Sequence, residues 1–111
     1  MQIVKAKKFK QCRDGTIMNE YLLDEQITPV FLEYCRHFGE VKLLVNLDPP
    51  FYSFIKNPFF TVKGLVDDWS MHVKFWKDQI EPAMEVLQIL INEYDPNNVD
   101  TEGLKKRLGG S

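Results

Sequence analysis

Residues 41–47, Val-Lys-Leu-Leu-Val-Asn-Leu, form a strand-length apolar run that stops abruptly at Asp48-Pro49-Pro50. A run of this length, closed by a turn signal, is the pattern of a strand covered on both faces, and it is expected in the centre of a sheet. The residues before it supply two further elements. Residues 2–10 alternate loosely, Arg13-Asp14-Gly15 is a turn signal and residues 16–23 are rich in strand formers, so the first 23 residues read as a β-hairpin ending at Leu23-Asp24. Thr28-Pro29 then supplies an N-cap and a first-turn proline. Val30, Phe31, Tyr34, Cys35 and Phe38 follow at helical spacing until Gly39.

Downstream of the run the periodicity is less decisive. Residues 58–80 can be read as a hairpin folded at Asp67-Asp68, but only residues 70–76 alternate cleanly. On a helix, Val62, Leu65, Val66, Trp69, Val73, Trp76 and Ile80 share one face, and Asn57-Pro58 offers a start signal. We take the helix, with Met71 and Phe75 off its core face. For residues 83–94 the stripe Ala83, Leu87, Leu90, Ile91, Tyr94 favours a second helix with Pro82 in its first turn, although residues 84–91 also resemble a buried strand. From residue 96 to 111 the chain is polar, ends in Gly109-Gly110-Ser111 and reads as a tail with at most a short helix.

Size and charge bound the function. With 111 residues, 44% of them hydrophobic, the chain builds one core, expected over residues 1–95. No stretch approaches the roughly 18 apolar residues of a membrane helix and no signal-peptide pattern opens the sequence, so a cytoplasmic location without membrane insertion is expected. Five basic residues and no acid lie in residues 1–13, whereas residues 14–104 carry six basic and sixteen acidic side chains. Net charge is −2, which argues against a nucleic-acid partner. The early lysines read instead as a strand edge protected against pairing.

The order hairpin, helix, central strand, loop, helix resembles the STAS fold of anti-sigma factor antagonists and sulfate transporters. Leu23-Asp24, residues 39–47, Ser53-Phe54-Ile55, Leu65-Val66-Asp67-Asp68 and Lys74-Phe75-Trp76-Lys77-Asp78 carry the likeness, which spans about residues 16–80 and is similar to small stand-alone STAS-like proteins. The resemblance implies an α/β domain with a small mixed sheet that acts by contacting other proteins; an α+β two-layer sandwich is the alternative. It also implies a strand over residues 84–91. The family's phosphorylated serine, preceded by aspartate, corresponds to Lys56-Asn57 here, so a phosphorylation switch at that point is not expected.

Few residues assemble into chemistry. Asp48-Pro49-Pro50-Phe51 is similar to the Asp-Pro-Pro-Tyr corner of amino-group methyltransferases, but no Gly-rich cofactor loop accompanies it, and the plainer reading is a rigid turn. Cys35 and His37 lie about 200° apart on a helix and cannot share a metal or form a nucleophile pair. His72 is expected on a helix flank near Asp68, in an ion pair. Whether Cys12 and Cys35 meet is left open. With no acid–base pair, nucleophile–base pair or metal cluster, a non-enzymatic domain without a cofactor is expected.

The segment 51–60 stands out, with five aromatics in ten residues expected to form a loop. Such a loop either folds onto the core as a lid or presents an apolar surface. Phe51, Tyr52, Phe54, Asn57, Phe59 and Phe60 are the candidate contact residues. The leading expectation is a protein-interaction module that binds a protein partner or its own copy through this segment. The alternative is a binding protein or sensor for a small apolar molecule held between the segment and the sheet.

Overall fold

The computed structural model of the protein describes residues 1–11 and 14–95, with the side chains of 1–7 and 14–95. Elements follow in the order β1 (Ile3–Gln11), β2 (Thr16–Leu23), α1 (Pro29–Arg36), β3 (Glu40–Leu44), β4 (Phe51–Lys56), β5 (Phe60–Leu65), β6 (Ser70–Trp76), a 3-10 turn (Lys77–Gln79) and α2 (Ile80–Asn92). The strands form one six-stranded sheet in the order β1-β2-β6-β5-β4-β3. Every ladder is antiparallel, so the expected mixed sheet gives way to an antiparallel one. β3 to β6 run as a meander of short turns, and such turns permit only antiparallel neighbours.

The N-terminal hairpin and both helices form where the sequence places them. Thr28 Oγ1 accepts from the Phe31 N–H at 3.3 Å and Pro29 opens α1. α1 buries Phe31, Leu32, Tyr34 and Cys35, and α2 buries Ala83, Leu87, Leu90 and Ile91. The same core takes Tyr21, Tyr52, Phe54, Val62, Met71, Val73 and Phe75 from the sheet. Successive strand side chains alternate between faces, so the set opposite the core faces outward.

Two expectations are corrected. Residues 58–80 are not a helix: β5 and β6 pair as a hairpin, with Val62 opposite Val73 and Phe60 opposite Phe75. Met71 and Phe75, expected off the core, are each 1% exposed, while Trp69 and Trp76 are 49% and 51% exposed. Asn57-Pro58 is a cis peptide in the β4–β5 turn rather than a helix cap. His72 is correspondingly on the outward face of β6, 3.7 Å from Glu20, and not on a helix flank.

The second correction concerns the apolar run. Among the described residues its strand, β3, pairs with β4 alone and closes one side of the sheet, because α1 carries the chain from β2 past three intervening strand positions before it turns back. Of β3 only Val41 is buried. The aromatic segment 51–60, expected as a loop, is largely the hairpin of β4 and β5. The tail from residue 96 and the position of Cys12 lie outside the described residues; Cys35 is a buried free thiol. Among the described residues, no helix is long and apolar enough to cross a membrane.

Candidate functional site

The exposed edge of the sheet at β3 is built from its connection to α1. The helix ends at His37, and Phe38-Gly39 leads directly into the strand. A Cβ on Gly39 would fall 2.3 Å from the Ile55 carbonyl oxygen, so only glycine lets the chain turn this tightly against β4. Lys56 fastens the same corner: its Nζ donates to the Phe38 carbonyl at 2.9 Å from a side chain that is almost fully buried. Desolvation holds the pKa of this ammonium below its ordinary value.

From this corner the strand alternates. Glu40 and Lys42 point to the outward face, 3.8 Å apart, and Val41 points to the core. Beyond them the apolar residues lose their cover: Leu44 is 54% exposed, Val45 75% and Leu47 49%, with Leu43 at 36%. Leu44 pairs with Phe51 of β4, and Phe51 pairs with Leu65 of β5, giving an apolar row across three strands of the open face. The next row is polar throughout: Lys42, Ser53, Lys63, His72, Glu20 and Lys7, each opposite the next.

The opposite edge of the sheet is constructed differently. β1 carries lysines at positions 5, 7, 8 and 10, and its pairing with β2 shifts register between Ile3 and Lys5 and again between Lys7 and Lys10. Charge and bulges are the usual devices that stop an edge from accepting another strand. The edge reading of the early lysines thus agrees with the strand order. β3 has regular pairing over all five residues and one lysine.

The candidate contact residues of the aromatic segment are divided by the hairpin. Tyr52, Phe54 and Phe60 face inward and are 1%, 3% and 4% exposed. Phe59 is half-buried against the core, Phe51 is half-buried on the open face, and Asn57 is exposed in the turn. Asn57 and Phe60 also border a cleft of about 150 Å³ with Asp14, Thr16, Thr61, Lys74 and Trp76. There Lys74 lies 3.1 Å from Asp14, whose carboxylate also accepts from the Thr16 hydroxyl. Hydrogen bonding by Thr16, then Lys74, holds the Asp14 pKa below its usual value.

Reactive groups sit in the core. Burial raises the pKa of the Cys35 thiol, which keeps it protonated and unreactive, and does the same for the Tyr52 and Tyr34 phenols. The gap that Cys35 and Tyr52 border between sheet and helices has a volume of about 10 Å³, and its other lining side chains are apolar. Among the described residues, no three His, Cys, Asp or Glu side chains are grouped to hold a metal ion.

The exposed part of residues 43–47 was missed by reading that run as a central strand. Glu40 and Lys42 alternating with Val41 and Leu43 were the available signal, since alternation marks a strand with one open face. No protein-family model, curated protein or solved structure matches the chain.

Proposed function

We propose that the protein is a non-enzymatic interaction module whose contact surface is the β3 edge with the apolar row Leu44, Phe51 and Leu65. One observation carries the reading: Leu43 and Leu44 are exposed on a regularly paired edge that lacks the protection given to β1, and the exposed Val45 and Leu47 extend this apolar surface into the turn that follows. An open edge offers unpaired backbone donors and acceptors, and apolar side chains beside it add the area that makes strand addition specific. A STAS-like mode of action, contact with another protein, belongs to the same proposal. Lys56-Asn57 offers no phosphoacceptor there, and Lys56 is already engaged with the Phe38 carbonyl. The small-molecule alternative has less support, because the interior gap has room for about one water.

Panning a phage-displayed library of random short peptides against protein immobilised at low density tests the surface without a known partner. Apolar, strand-forming peptides are expected to enrich and to lose binding when Leu44→Lys and Val45→Lys are combined. Both positions are exposed, so the variant keeps its fold. Peptides that bind this variant equally well, or no enrichment at all, would sink the reading.

A further inference from the structure

We propose that the occupant of the β3 edge is a second copy of this chain, paired antiparallel about a two-fold axis at Leu43. This rests on the interaction reading above and names its partner. The first argument is closure. Among the described residues, each molecule has one edge open to pairing and one blunted by lysines and register shifts, so pairing through β3 consumes the open edges of both copies. What remains at either end of the joined sheet is β1. An isologous contact of this kind stops at two, whereas a molecule with two open edges would grow into a fibre.

The second argument is the side-chain pattern, which selects the register. A two-fold at Lys42 would set its ammonium directly opposite its copy, an unfavourable cross-strand pair. At Val41 the axis would carry Leu44 and Val45 beyond the partner strand, leaving the two most exposed residues of the run uncovered. An axis at Leu44 would place most of the ladder on residues 45 and 46, which belong to the turn. An axis at Leu43 keeps Lys42, Leu43 and Leu44 paired strand to strand, brings residues 45 and 46 of the turn only opposite Val41 and Glu40, and avoids the other two faults. There Leu43 meets itself on the helix-bearing face, and Leu44 lies on the aliphatic stem of the partner's Lys42 on the open face. The ammonium keeps its own Glu40, 3.8 Å away, so no bare charge is enclosed. The apolar rows through Phe51 and Leu65 then flank the junction from both sides.

Sedimentation velocity of the full chain over about a hundredfold dilution reads the assembly. A dimer is expected, weakened about tenfold or more by the combined Leu44→Lys and Val45→Lys variant. Leu43→Cys in a Cys12→Ser background fixes the geometry: residues on the two-fold come within disulfide reach, so mild oxidation should give a covalent dimer. Val4→Cys, exposed on β1, should not. Circular dichroism establishes that each variant is folded. A monomer at every concentration overturns the inference, as does a dimer that Val4→Cys captures and Leu43→Cys does not. If the monomer still selects Leu44-dependent peptides, the surface stands and only the second copy is wrong; if it selects none, both fall.

Discussion

Tyr34 and Tyr52 are buried to almost the same extent, 3% and 1% exposed, yet their hydroxyls have opposite circumstances. Tyr34 donates to the Leu90 carbonyl at 2.6 Å and ties α1 to α2. Among the described residues the Tyr52 hydroxyl has no hydrogen-bond partner, and it fits because position 64 is glycine: a Cβ there would lie 2.9 Å from it. A hydrogen bond of the first kind contributes about 1 kcal/mol, and an unpartnered buried polar group costs about 1–3 kcal/mol. Tyr34→Phe is therefore expected to destabilise the protein by about 1–2 kcal/mol. Tyr52→Phe should be neutral or stabilising, because it removes the unpaired group and keeps the ring in the core. Urea unfolding midpoints of the two variants decide the matter. A loss at Tyr52→Phe as large as at Tyr34→Phe would mean that the Tyr52 hydroxyl has a partner in solution.

The elements that can be read in the sequence are those whose local signals agree with their packing. Thr28-Pro29 caps a helix and the stripe Ala83, Leu87, Leu90, Ile91, Tyr94 lies wholly in the core. The β5–β6 hairpin was hidden because its apolar residues also satisfy a helical phase, and only the partner strands decide which face is buried. The same limit applied to β3: an apolar run implies burial on both sides only where a second layer exists, and here both helices cover a single face. Of the candidate contacts, Phe51 alone joins the exposed row, since strand alternation sends Tyr52 and Phe54 inward. What reverses the chain between β5 and β6 is Asp67, in the left-handed region with φ 68°. Its backbone N–H donates to the Ile27 carbonyl at 2.7 Å, so this conformation also holds the link between β2 and α1. Asp67→Gly is expected to be neutral or slightly stabilising. Asp67→Val should cost about 1–2 kcal/mol, since a β-branched side chain resists positive φ. Thermal unfolding of both variants checks the turn, and equal midpoints would contradict the hairpin.

Across the whole molecule, burial holds ionisable groups in their neutral forms and so ties stability to alkaline pH. Desolvation raises the pKa values of Cys35, Tyr34 and Tyr52 above the ordinary 9.0 and 10.0, and it raises Tyr21 and Tyr94 as well. In the unfolded chain these groups release their protons near the ordinary values, while the folded protein retains them. The unfolded state then binds fewer protons, so stability falls as pH rises. Their contribution is complete below about pH 9 and is lost as pH climbs through the folded values. Lys56 acts in the other direction: its pKa is lowered, the unfolded chain holds the extra proton up to 10.5, and stability rises across that window. One lysine opposes several phenols and a thiol, so the net slope is negative above pH 10. Each group that titrates only on unfolding contributes about 1.4 kcal/mol per pH unit, and a domain of this size holds about 5–15 kcal/mol in all. A single cooperative transition is expected between about pH 10 and 12, in which tyrosinate absorbance rises as far-ultraviolet circular dichroism is lost. Tyr52→Phe should flatten the slope by one proton. Phenols that ionise near pH 10 in an intact fold would show that the core admits water where the packing of Tyr34 and Tyr52 leaves none.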